Sequence, residues 1–258
     1  MISLLPMAGL GSRFKTDCYN VPKPFIPIMN LPMFMAAIQS FPPADGHVII
    51  APTDFVKKYS LKEKASKYLP NCQIITVDEL TEGQACSCLL AENHIDPKES
   101  IFISSCDYQV VYDEKEYNLL LNDPDVDVII WTFKTGGTTK SDPNAFAYCR
   151  IENGFVTEVV EKKTISENPE NDPAVVGTFT YLKFKNFVNG AKKMISKKIR
   201  VNNEFYVGTS INQLIEDGKK VKIFPVDKFI SFGDPFELQL YQYWEEFFYT
   251  EERHLYKG

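Results

Sequence analysis

Short apolar runs alternate with amphipathic segments through the first half of the chain, and this alternation limits the fold more than any other feature. Residues 2–7, 47–51, 73–77, 100–105 and 126–133 have the length and the β-branched or aromatic content of strands. Residues 33–41, 54–68, 84–93 and 114–121, lying between them, have the spacing of helices. Strand–helix alternation predicts βαβ units, hence a mostly parallel sheet covered on both faces. Sheets of that kind bind ligands beyond the carboxyl ends of their strands. The loops after Met7, Val77 and Ser105 are therefore the first places to look for a site.

The second half has a different character. Residues 147–152 and 155–161 flank Asn153-Gly154, a strong hairpin signal. A strand is expected at 173–183, helices at 184–195 and 204–217, and another strand at 220–226. A last helix is expected at 235–249, with Asp234 before it and Pro235 at its first position. The polar, proline-containing segment 164–173 reads as a loop. Without a linker or repeat, the expectation is one α/β domain over 1–258, its mixed central sheet mostly parallel. The nucleotide-binding half would be 1–135 and the acceptor-binding half 136–258.

Bulk properties narrow the class. A chain of 258 residues with 44% hydrophobic and 24% charged residues can bury a core without staples. Its net charge of −6 implies no broad basic field, so no nucleic-acid partner is expected. Of the 6 cysteines, only Cys86 and Cys88 are close in sequence, which is no zinc framework; free thiols in a reducing cytosol are the reading. The first residues have no basic n-region, and no stretch approaches the roughly 20 apolar residues of a membrane span. A cytoplasmic protein without membrane contact is expected, with a homo-oligomer left as an open partner reading.

The most informative segment is Met7-Ala8-Gly9-Leu10-Gly11-Ser12-Arg13-Phe14, followed by Pro22-Lys23-Pro24. It directly follows the first strand. Gly9 and Gly11 let the backbone approach a ligand, where successive N–H groups can cradle phosphate oxygens. Arg13 offers a planar fork for two such oxygens, and Lys23 a point-like cation held between prolines. The pattern G-x-x-x-x-G-K-[ST] is absent, so this is not a P-loop, and Phe14 stands where a dinucleotide fingerprint needs its third glycine. A glycine turn beside a surface arginine is the plainer alternative.

With these spacings the loop resembles the signature of the sugar-phosphate nucleotidyltransferases, a family with a Rossmann-like fold shared with glycosyltransferase type A domains. The resemblance implies that Met7, Ala8, Gly9, Gly11 and Ser12 hold an NTP. It also implies that Arg13 binds the departing pyrophosphate, and that Lys23 bridges the α-phosphate and the acceptor phosphate. Thr81-Glu82-Gly83-Gln84 resembles the segment that reads the base, through Gly83 and Gln84. Asp107, at the end of an apolar strand, resembles the family's ligand for Mg²⁺, the implied cofactor. Glu161-Lys162 is similar to the family's Glu-Lys pair, with Lys162 on the acceptor phosphate, and Gly177 to the glycine of the strand beneath the acceptor.

One segment departs from the family. Where sugar-nucleotide members carry a second metal-binding aspartate, this chain has Ser231; either water completes the Mg²⁺ shell or another acid, such as Asp234, substitutes. The stretch 202–209 is similar to a capsule-associated branch of the family, the CTP:phosphoglutamine cytidylyltransferases, which implies Glu204 and Tyr206 at the acceptor. CTP and phospho-L-glutamine are then the expected substrates, and CDP-L-glutamine, for capsular phosphoramidate synthesis, the product. The other readings are a sugar-1-phosphate or phosphocholine nucleotidyltransferase, a nucleotide-binding regulatory protein without catalysis, and a glycosyltransferase. For the last, Asp125-Val126-Asp127 fits a bare D-x-D pattern but opens a strand instead of ending one.

Overall fold

The structure, a computed structural model, describes residues 1–9, 11–14, 19–134 and 142–250. Its elements in chain order are β1 (Ile2–Pro6), β2 (Pro27–Ile28), β3 (Leu31–Pro32), α1 (Met33–Ile38), β4 (Gly46–Pro52), α2 (Thr53–Tyr59), α3 (Leu61–Tyr68), β5 (Cys72–Val77) and α4 (Gln84–Leu89). Then follow β6 (Ile101–Ile103), β7 (Tyr108–Val111), α5 (Glu114–Leu121), β8 (Val128–Phe133), β9 (Ala147–Glu152), β10 (Phe155–Glu161) and β11 (Ala174–Tyr181). The chain continues through α6 (Phe184–Ser196), α7 (Val207–Glu216), β12 (Val221–Pro225), β13 (Lys228–Ser231) and α8 (Pro235–Thr250).

A 9-stranded sheet runs through the middle in the order β10-β9-β11-β6-β1-β4-β5, with β8 beside β11 and β12 beside β8. Only β11 and β10 run against the common direction, which gives the mixed, mostly parallel sheet expected from the sequence. The two halves share this sheet, because β11 stands between β6 and β8.

Side chains alternate between its faces as a doubly covered sheet requires. Leu4, Val48, Ile50, Ile101, Ile103, Val128 and Ile130 pack with α4, α6 and α7 on one face. On the other, Leu5, Ile49 and Ala51 pack with α1, α2 and α3. Beside them an aromatic block of Phe41, Phe102, Tyr108, Tyr117, Trp131 and Phe224 closes the same side. Thr180 Oγ1 meets both Trp131 Nε1 and the Tyr117 hydroxyl at 3.0 Å, so the buried polar atoms of this block are paired.

Several expected boundaries move for local reasons. The single helix expected at 54–68 is broken at Ser60, whose φ of 52° is left-handed, so α2 and α3 are separate. The helix expected from Glu204 begins only at Val207. Asn202 and Asn203 both adopt positive φ, and Val201 bridges Glu204, leaving Glu204 and Tyr206 in the turn that leads into α7. The strand expected at 173–183 is interrupted at Gly177 (φ 99°), where its register against β8 shifts. Sequence reasoning missed the two-stranded ribbon of β7 and β13, which pairs Tyr108 with Ser231. The cysteines other than Cys18, which lies outside the described residues, are free thiols. No helix among the described residues is long and apolar enough to cross a membrane.

Gly190 marks the tightest contact between α6 and α7. A Cβ there would stand 2.8 Å from the Ser210 carbonyl oxygen and 3.0 Å from Leu214 Cγ. Alanine would gain about 1 kcal/mol of helix propensity, but the obstruction is backbone and cannot rotate aside. Gly190→Ala should therefore lose about 1–3 kcal/mol of unfolding free energy in urea titration. An unchanged or higher midpoint would mean that the two helices separate without cost.

Candidate active site

The chain lays β4 and β5 on one side of β1 and then places β6 on the other. This reversal is a topological switch point, where the loops beyond the carboxyl ends of neighbouring strands diverge and leave a crevice. A cleft of about 610 Å³ opens there, lined by Ala8, Gly9, Gly11 and Ser12 after β1, Thr81, Gly83 and Gln84 after β5, and Ser105 and Asp107 after β6. Glu161, Lys162, Gly177, Glu204 and Tyr206 line its other side.

Four expected residues are not part of this lining: Met7, Asp234, Arg13 and Lys23, the last of which lines an adjoining cavity that shares Ala8, Gly9 and Gly11 with the cleft. Met7 is buried among Leu5, Phe25 and Phe34, and its amide donates to the Ile50 carbonyl at 2.7 Å; its side chain belongs to the core and does not line the cleft. Asp234 caps α8, its Oδ1 accepting the Glu237 amide at 2.9 Å, and it also does not line the cleft.

The loop after β1 is shaped by its glycines. Gly11 has a φ of 56°, and a Cβ on it would stand 3.2 Å from Lys23 Cβ, so the loop folds directly over the lysine. Lys23 Nζ lies 2.5 Å from Asp107 Oδ2, 3.0 Å from the Gly233 carbonyl oxygen and 5.2 Å from the centre of the Phe14 ring. Burial is the largest single effect and would lower its pKa, but the charge and hydrogen bond of Asp107, together with Cys106, hold it above the usual lysine value. Burial would likewise raise Asp107, yet Lys23 and a 2.6 Å hydrogen bond from Ser105 hold it below the ordinary carboxylate range. The Arg13 charge is felt at Lys23, Lys162 and Tyr206, so the three cations converge on one region.

Beside this pair stands a carboxylate that sequence reasoning did not single out. Glu237 Oε2 lies 2.5 Å from Ser231 Oγ, which also accepts the Gly233 amide at 3.1 Å. Measured from the position a Cβ on Gly233 would take, Glu237 Oε2 is 3.3 Å away and Asp107 Oδ2 3.9 Å away. Two carboxylates thus flank Gly233, one from the loop after β6 and one from the first turn of α8. The only sequence signal was the serine at 231, short enough to leave room for a longer acid.

Gly83 admits no other residue. With φ at 125°, its absent Cβ would fall 2.6 Å from the Phe205 nitrogen and 2.7 Å from the Phe205 oxygen. Phe205 N donates to the Glu82 carbonyl at 2.9 Å, and Ala85 N donates to the Phe205 carbonyl at 3.0 Å. The turn before α7 is therefore stitched to the start of α4. At the far wall Gly177 leaves room for the Tyr108 hydroxyl, which lies 3.3 Å from its absent Cβ.

Lys162 has a left-handed φ of 56°; its ammonium donates to the Ala145 carbonyl and lies 5.8 Å from the Tyr206 ring centre. Burial pulls its pKa down. The carboxylate of Glu161 sits over Gly208 and accepts the Thr209 amide, while burial pushes its pKa up to about 7.

No family model and no curated protein sequence matches the chain, whereas solved structures do. The nucleoside-diphosphate-sugar pyrophosphorylase from Vibrio cholerae RC9 superposes with a TM-score of 0.76 at 19% identity, over 93% of this chain and 99% of that one. The inositol-1-phosphate CTP transferase from T. maritima superposes with a TM-score of 0.71 at 14% identity, over 93% of each chain. The chain has the fold of these nucleotidyltransferases.

Glu161 gives the site a pH signature. Its folded pKa lies above the usual 4.5, so folding favours the protonated form. That stabilising contribution is complete below about pH 4.5 and disappears as pH rises through about 7. Glu161→Gln should therefore be more stable than the parent chain at pH 8, by at most about 3 kcal/mol, and nearly equal to it at pH 4.5. Chemical unfolding across that range measures the difference, and parallel stability curves would refute the burial argument.

Proposed function

We propose that the chain transfers a nucleoside monophosphate from an NTP to a phosphorylated small molecule and releases pyrophosphate. In the finer reading the donor is CTP and the acceptor phospho-L-glutamine, giving CDP-L-glutamine for capsular phosphoramidate synthesis. One observation carries the proposal: the glycine loop after β1, Asp107 and Lys162 line one cleft at the switch point of the sheet, and Lys23 pairs with Asp107 from the adjoining cavity. Likeness in fold to an inositol-1-phosphate CTP transferase supports the general activity, and resemblance over 202–209 supports the finer one.

The acceptor phosphate has its second pKa near 6 and is mostly dianionic at neutral pH, so one of its oxygens can attack the α-phosphorus without a general base. Catalysis of this type is positioning plus charge neutralisation. The amides around Gly9 and Gly11 hold the triphosphate, Arg13 receives the leaving pyrophosphate, and Lys23 sits between the α-phosphate and the acceptor. Gly83 and Gln84 face the base, and Lys162 holds the acceptor phosphate.

Asp107 and Glu237 offer hard oxygen ligands of the kind Mg²⁺ takes, with water completing its shell. The ion supplies charge neutralisation at the triphosphate. Glu237 in this role replaces the earlier expectation for Asp234, whose carboxylate is used as a helix cap.

The test is pyrophosphate release with each NTP, Mg²⁺ and a panel of phosphorylated acceptors. Turnover with CTP and phospho-L-glutamine is expected. Turnover only with a sugar 1-phosphate would overturn the finer reading, and no turnover with any pair would overturn both. Charge-assisted contacts are worth about 1.5–3 kcal/mol, so Lys23→Ala should lose at least about 10- to 100-fold in rate. Glu237→Gln should raise the Mg²⁺ concentration needed for half-maximal rate several-fold, and an unchanged Mg²⁺ dependence would remove Glu237 from the metal site.

A further inference from the structure

The acceptor end of the cleft contains an unexpected excess of negative charge. A site for a triphosphate and a second phosphate needs cations, and Lys162 in the cleft, with Arg13 and Lys23 close by, meets that need. Yet Glu161 and Glu204 line the same cleft, and among the described residues neither makes an ion pair with a lysine or arginine. Lys162, the cation next to Glu161 in sequence, directs its ammonium to the Ala145 carbonyl and meets both acids only through space, without a direct ion pair.

Both carboxylates are held where they are. Glu161 occupies space that exists only because residue 208 is glycine: a Cβ there would fall on its Oε1. The Thr209 amide, in the first turn of α7, anchors it. The left-handed pair Asn202 and Asn203 and the Val201–Glu204 bridge turn Glu204 toward the cleft. Tyr206 then hydrogen-bonds to Glu204, feels the charge of both acids and lines the same cleft.

An acceptor consisting only of phosphate and neutral groups would bring more negative charge to this wall. A hydroxyl could give one hydrogen bond to one acid but would bring no positive charge to this wall. An ammonium offers three donors and cancels charge, and an aromatic ring is a further favourable neighbour for it. We propose that Glu161, Glu204 and Tyr206 form a subsite for a primary ammonium group carried by the phosphorylated acceptor, and that this subsite separates amino-bearing acceptors from hydroxyl-bearing ones. The proposal rests on the nucleotidyl-transfer reading for the place of the acceptor. It adds a recognition role for Glu161.

Calorimetric titration of the full chain with two probe pairs tests it: phospho-L-glutamine against its α-desamino analogue, and O-phosphoethanolamine against 2-hydroxyethyl phosphate. In at least one pair the amino member should bind about 10- to 100-fold more tightly, as expected for a charge-assisted contact. That preference should shrink to less than about 3-fold in both Glu161→Gln and Glu204→Gln, while the desamino or hydroxyl member binds them as it binds the parent. Glu204 is exposed, so its substitution tests the subsite even if the change at Glu161 disturbs the packing. Equal affinity within both pairs, no binding of any probe, or a preference that survives both substitutions would overturn the inference. Pyrophosphate release is read separately: its absence with every acceptor sinks the transfer reading, whereas the titration alone decides the ammonium subsite.

Discussion

The contact between Lys23 and Asp107 joins parts of the chain that share no local reason to meet. Lys23 comes from the loop after β1, Asp107 from the loop after β6, and the third partner, the Gly233 carbonyl, from the turn into α8. Both charges are largely withdrawn from water, so neither is tolerable there without the other. The pair holds its place because the sheet brings β1 and β6 side by side and the β7–β13 ribbon fixes the approach of Gly233. Phe232, in the same turn, donates its amide to the Asp107 carbonyl at 2.7 Å, which locks ribbon and loop together.

Around this pair the cleft divides into regions of different chemistry. The β1 loop presents backbone and cations, the Gly233 turn presents two carboxylates, and the wall from β10, β11 and the turn before α7 presents a mixture of both signs. Such sorting suits a reaction in which charge moves from one phosphate to another. In the proposed reaction the protein would have little covalent chemistry to perform, and the placement of charge would do most of the catalytic work.

The strands were legible in the sequence because their burial is two-sided and leaves nearly continuous apolar runs; Val128-Ile129-Ile130-Trp131 is an example, each residue buried. The glycine loop and Asp107 were legible because they sit at strand ends, where the periodicity breaks. The second acid was not. Glu237 lies in the first turn of a helix, and its meaning comes from its contact with Ser231, which ends β13 outside that helix. The delayed start of α7 was hidden for a related reason: asparagines in the left-handed region carry no periodic signal, and only the Phe205 backbone contacts show what the turn is for. The β7–β13 ribbon pairs residues more than a hundred positions apart, beyond the reach of local pattern.

The close fit of Gly83 against Phe205 also bears on how the two ends of the cleft respond to occupancy. In the proposed function Glu82, Gly83 and Ala85 would border the base, while Glu204 and Tyr206, which flank Phe205, would lie at the acceptor. With no side chain between them, one backbone cannot shift without moving the other. Any free energy that one ligand spends on ordering this seam is already spent when the second arrives. By thermodynamic reciprocity, a donor and an acceptor bound as proposed would strengthen each other's binding by the same factor, whichever entered first.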